Sequence, residues 1–198
     1  MIEKQVTNIP IQELAQRSGV NQGLVKYHFG NKAGMELALL RRAMRPAMEQ
    51  LEHLDSSSLT PKEKLRVHIS GMVNTYFRYP YVNRLMHRMI AENPSEFAPT
   101  IIDEFSRPSA LAQRRILEEG VADGSFRPID PISFYFHVVG ACDQLFHGRH
   151  QLARIFGHDV INDDLRRTYI DHLCGVVIRG MAPADTEDES NDRGQPSS

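Results

Sequence analysis

The side chains best suited to chemistry fall close to the start of the chain, at Gln22, Leu24, Lys26, Tyr27 and His28. An amide can hydrogen-bond a base edge, a leucine tip can meet a thymine methyl, a ring can stack and an ammonium can pair with phosphate. Together they suit a helix lying in a DNA major groove. The residues before them supply what a reading helix needs to be held in place. Ala15 is small where two helices cross, Gly19 can take the positive φ that ends a first helix, Val20 fills the corner, and Asn21 can cap a second helix.

A second group of chemically useful residues is apolar and adaptable. Met72, Tyr76, Met86, Met89, Phe105, Tyr135 and Phe136 lie on successive helical segments, and methionine and aromatic side chains build walls that fit a small organic molecule. The histidines invite a metal reading, since His147 and His150 would share a helical face near His158 and Asp159. That stretch is polar and interrupted by Gly148 and Gly157, so the spacing favours a solvated turn and no metal site. His68, His87, His137 and His172 are read as pocket or core groups. No Ser-His-Asp order, glycine-rich phosphate loop or HExxH is present, so no enzymatic activity and no cofactor are expected. Cys142 and Cys174 lack CxxC spacing and are read as reduced, buried and structural.

The elements that must position these groups are helical, because apolar residues recur at three and four positions. Two short helices are expected over residues 10–18 and 21–29, and a third over about 32–53 that Pro46 interrupts. Residues 55–59 read as a loop. Thr60, Pro61 and Glu63 then form a helix start with a capping box. Apolar stripes follow at Leu65, Ile69, Met72, Val73, Tyr76 and Phe77, then at Val82, Leu85, Met86, Met89 and Ile90. A further helix begins near Pro108, another starts at Asp130-Pro131, and the last covers 165–181. The run 132–146 is apolar on nearly every face, which implies burial on more than one side. The fold class is therefore all-α, with a helix-turn-helix domain at 1–45, a helical domain at 46–181 that holds the candidate ligand-binding walls and an acidic, disordered tail at 182–198.

Composition agrees with a folded protein: hydrophobic residues make up 41% of the 198 positions and charged residues 24%. The net charge of −2 argues little by itself, because the charge is unevenly placed. Positions 1–45 hold Lys4, Arg17, Lys26, Lys32, Arg41, Arg42 and Arg45 against Glu3, Glu13 and Glu36, which makes the N-terminal end the candidate nucleic-acid surface. No apolar run is long enough to cross a membrane and no signal peptide opens the chain, so a cytoplasmic location is expected.

The wording around the glycine turn is more specific than its geometry. Ile11-Gln-Glu-Leu-Ala15, Ser18-Gly-Val-Asn21, Leu24-Val-Lys-Tyr-His-Phe29 and Asn31-Lys32 resemble the TetR/AcrR family signature over residues 9–40. The resemblance implies a ligand-responsive transcriptional regulator, acting as a repressor that binds a palindromic DNA operator as a homodimer. It implies that Gln22, Gly23 and Leu24 face bases, that Lys26, Tyr27 and His28 meet phosphates or the groove wall, and that Lys32 binds phosphate at a helix N-terminus. Lys26 stands where the family usually has Tyr, which makes that contact ionic and salt-sensitive. It further implies that the last two helices, with Cys142, Leu145, Phe146, Leu173, Val176 and Val177, form the dimer's four-helix bundle. The family places a helix of about four turns before the motif, where this sequence offers nine residues. The alternative is thus a ligand-sensing or dimerisation protein with impaired DNA binding.

Overall fold

A computed structural model describes residues 21–183. The expected helix over 10–18, the turn at Gly19 and the acidic tail from 184 onward lie outside the described residues. Those described form helices α1 (Gln22–Phe29), α2 (Lys32–Asp55), α3 (Pro61–Arg78), α4 (Val82–Glu92), α5 (Pro94–Ile101), α6 (Arg107–Ala122), α7 (Pro131–His147), α8 (Arg149–Phe156) and α9 (Asp163–Gly180), with a π-helical turn at Ile102–Ser106.

Most of these elements begin where a side chain can satisfy the first free N–H groups. Asn21 accepts from Gly23 N at 2.7 Å, Asn31 from Gly34 N at 2.8 Å, Asp130 from Ser133 N at 2.8 Å and Asn162 from Leu165 N at 2.9 Å. The capping box at α3 is complete: Glu63 N donates to Thr60 Oγ1 while Thr60 N donates to Glu63 Oε2 at 2.8 Å. Gly30, at φ 72°, ends α1. Gly34 serves a different need, since a Cβ built there would stand 2.2 Å from the carbonyl oxygen of Phe29. Only glycine lets α2 pass so close to the end of α1.

The third expected helix is α2, which runs from Lys32 to Asp55 with Pro46 inside it; proline removes one N–H from the ladder, and Met44 and Leu51 on either side of it are buried. One expectation about the helices is corrected. The stretch around His150 is not a turn but helix α8, whose side chains are all at least partly exposed. Helix α5 and the π turn carry no clear apolar period and are set by packing. Pro108 has no N–H to return to Glu104, and the N–H of Arg107 reaches back five residues to Ile102 O.

Helix α3 is the central post. Leu65, Ile69, Val73 and Tyr76 are buried, and it packs against α2, α6, α7 and α9. The core is continuous from Leu40, Ala43 and Met44 on α2 to Leu173, Cys174 and Val177 on α9, so α2 belongs both to the N-terminal unit and to the bundle. Cys142 and Cys174 are buried free thiols, and burial pushes the Cys142 thiol up to about 12.

The expected dimer stripe is largely consumed by this core. Cys142, Phe146, Leu173 and Val177 are buried within the protomer and Leu145 packs against them, leaving Val176 exposed. Much of the apolarity of α7 is used against α3, α4 and α6, while Ile132 and Phe136 stay exposed at 68% and 69%.

Candidate DNA interface and effector cavity

Helix α1 stands off the core. Leu24 is 51% exposed and Tyr27 82%, Gly23, Lys26 and His28 are also exposed, and the Tyr27 and His28 rings meet edge-on at 5.2 Å. Gln22 opens this helix and Lys32 opens the next. The seven residues expected to meet DNA thus fall on one exposed helix and the adjoining helix N-terminus, which can form base and phosphate contacts.

Among the described residues three ion pairs tie α2 to elements further along the chain, one of them from Asp55 at its end to Arg115 on α6 at 2.7 Å. Glu36 is only 2% exposed, 3.8 Å from the Lys32 ammonium and 2.7 Å from Nη2 of Arg88 on α4. One turn on, Arg41 Nε donates to Glu104 Oε2 in the π turn at 2.8 Å. That hydrogen bond holds the Glu104 carboxyl below the usual carboxylate range.

The elements so tied enclose a cavity of about 340 Å³, large enough for a small organic molecule. Of the expected wall residues, Met72, Tyr76, Met86, Phe105, Tyr135 and Phe136 line it. Met89 does not: Met86 and Ile90 point into the space while Met89, a turn away on α4, is buried in the core. Helix α2 contributes Met44, Met48, Leu51 and Leu54, so the helix that follows the reading helix is also a cavity wall.

The polar lining was not foreseen as a set. Nδ2 of Asn83 donates to Oδ1 of Asp143, and Nε2 of His87 lies 3.3 Å from Oδ2 of the same carboxylate. Asp143 is the one acidic residue in the run 132–146, and an acid inside an apolar helix is the signal that could have marked it. His68 also lines the cavity. Burial lowers its pKa to about 4, and the neutral ring lies with Nε2 at 2.9 Å from the Gln113 amide. Beside Asp143, Tyr76 is raised well above the usual phenol range, chiefly by burial.

Helices α7 and α9 are joined by Tyr169, whose hydroxyl donates to the carbonyl of Ala141 at 2.6 Å. Beside that joint, α7 exposes Ser133, His137 and Gln144, and α9 exposes Thr168, His172 and Val176. Among the described residues no three His, Cys, Asp or Glu side chains are placed to hold a metal ion, and no helix is long and apolar enough to cross a membrane.

An exposed helix bearing the side chains expected to meet DNA is carried next to a helix that runs into the wall of an apolar cavity, an arrangement that fits a ligand-responsive regulator. Residues 58–187 match the family model described as the tetracyclin repressor-like C-terminal domain. The chain belongs to the TetR/AcrR family of transcriptional regulators, which are DNA-binding proteins and not enzymes. It is 21% identical over 177 residues to the HTH-type transcriptional regulator RutR of Escherichia coli O157:H7, covering 87% of this chain and 81% of that one. Its fold is similar to that of a TetR/AcrR regulator from Thermobifida fusca, with a TM-score of 0.65 and 18% identity over 86% of this chain and 85% of the other. A tetR-family protein from Rhodococcus RHA1 superposes with a TM-score of 0.68 at 17% identity, covering 88% and 86% of the two chains.

Proposed function

We propose that this regulator is a repressor that binds a palindromic operator as a homodimer and releases it when a small molecule occupies the cavity. The observation that carries this reading is the double role of α2. Its N-terminal end abuts the reading helix at Gly34, and its C-terminal half supplies Met44, Met48 and Leu51 to the cavity. Occupancy that moves α2 or its ion-paired neighbour α4 therefore moves the reading head. A ligand acts through this element to the extent that it binds one arrangement better than the other.

Dimerisation is assigned to the exposed faces of α7 and α9, packed two-fold against the same faces of a second copy. Two copies would then present two α1 helices to successive major grooves about one helical turn apart. Fluorescence anisotropy with the intergenic DNA adjoining the gene, together with light scattering, tests the reading. A dimer that binds a two-fold sequence and weakens steeply with salt supports it. A dimer with no sequence-specific binding identifies a sensor without a working reading head.

A further inference from the structure

The cavity's charge is one-sided. Among the described residues its lining holds one acid, Asp143, and no Lys or Arg. The Asp143 side chain is 21% exposed, and its partners are the amide of Asn83 and the imidazole of His87. A carboxylate offers about four acceptor positions, so these two contacts leave capacity for a further donor. Tyr76, Tyr135 and Phe136 line the same cavity, and electron-rich ring faces attract a cation. An anionic ligand would meet the reverse: burial beside a carboxylate, with no Lys or Arg in the wall and His87 already turned to Asp143.

The rest of the cavity describes the body of the ligand. His68 and Tyr76 both line it from α3, and two helical turns separate them, roughly 12 Å along the axis. Between and opposite them stand Met44, Met48, Leu51, Met72, Met86 and Phe105, which suit an apolar body of variable shape.

We propose that the cavity takes an amphiphilic organic cation, a protonated amine whose nitrogen lies against Asp143 among the three rings and whose apolar part extends toward Met44 and Leu51. This rests on the cavity being the effector site. Three probes of matched size, 4-phenylbutylamine, 4-phenylbutanol and 4-phenylbutanoate, are titrated calorimetrically into the full chain at pH 7.5. The amine is expected to bind about tenfold or more tighter than the carboxylate, the size of one desolvated charge contact. Asp143→Asn should remove that preference and leave the alcohol's affinity unchanged. Tyr135→Leu, which leaves Asp143 in place, should weaken the amine and spare the alcohol.

Equal or tighter binding of the carboxylate, an undiminished amine preference in Asp143→Asn, or no binding of any probe overturns the proposal. Asp143-dependent amine binding that leaves affinity for the adjoining intergenic DNA unchanged upholds the ligand class, and locates the failure in the effector reading instead.

Discussion

Nη2 of Arg88 lies 2.7 Å from Oε1 of Glu36, joining the cavity helix α4 to the helix that follows the reading head. The Glu36 side chain is 3% exposed and that of Arg88 18%, so neither is well solvated. Removing one partner of such a pair leaves a buried charge uncompensated, which costs about 3–5 kcal/mol in a fully buried setting. Without Arg88 the Glu36 carboxylate still has the Lys32 ammonium 3.8 Å away, which moderates the cost. Arg88→Met is expected to lower stability by about 2–3 kcal/mol in urea unfolding. Glu36→Gln combined with Arg88→Met should recover most of that loss. In both variants the effect of ligand on DNA affinity should shrink, and coupling unchanged from wild type would remove this ion pair from the signalling path.

Gly34→Ala tests the junction between α1 and α2. The added methyl would sit 2.2 Å from the Phe29 carbonyl oxygen, and backbone cannot yield as a flexible side-chain end can. The strain falls on the reading helix, because α1 packs on α2 alone to any extent among the described elements. DNA affinity measured by anisotropy should fall by an order of magnitude or more, with the near-ultraviolet circular dichroism of the bundle preserved. Wild-type DNA binding in this variant would mean that α1 relocates without cost.

Lys26 is exposed on α1, and a phosphate contact by its ammonium would release one condensed counterion per protomer. Lys26→Ala should therefore weaken binding to all DNA sequences alike. In a dimer the slope of log K against log salt should flatten by about 2, from roughly 0.9 per phosphate. A change in sequence preference with an unaltered slope would instead make Lys26 a base contact.

His68 sets an acid limit on stability. Its pKa is lowered from 6.5 to about 4, by burial, so between these values the unfolded chain binds a proton that the fold refuses. Stability is complete above about pH 6.5 and drains away as pH falls toward 4. Between pH 6.5 and 5 the loss should be about 2 kcal/mol. His68→Gln keeps a polar group facing Gln113 and removes the titration, so its urea midpoint should be flatter over that range. An identical slope in both proteins would assign the acid sensitivity to other groups.

Local signals were legible where one residue type answers one need. The caps at Asn21, Thr60 and Asp130 and the pause between α2 and α3 are of this kind. Partition of an apolar surface was not. Met86, Met89 and Ile90 belong to a single stripe in the sequence, yet two of them face a cavity and one the core, a difference of rotation that hydropathy does not encode. Cys142, Phe146, Leu173 and Val177 pose the same difficulty: they are buried within the protomer, and apolar periodicity reports burial without naming what does the burying. Asn83, His87 and Asp143 come together from α4 and α7, a meeting that only packing decides. Helix α8 was hidden by its flanking glycines and its lack of a buried side.

Val176 and Val177 separate the exposed face of α9 from the core by one residue. Val177 is buried on the core side of α9 at 6% exposure, whereas Val176 is 43% exposed on the face that carries Thr168 and His172. An isolated surface substitution costs within about 0.5 kcal/mol, so Val176→Asp should fold with little loss as a monomer. If α7 and α9 meet their copies in a dimer, the same aspartate is forced into an apolar two-fold contact opposite its own symmetry mate, and both charges must be desolvated. Light scattering should then show the mass halved at micromolar concentration, with a melting temperature that no longer rises with protein concentration. DNA affinity should fall with it, because two reading heads no longer arrive together. Val177→Asp places the same charge in the protomer core and should unfold the chain at any concentration. A Val176→Asp protein that remains dimeric would move the interface away from α9.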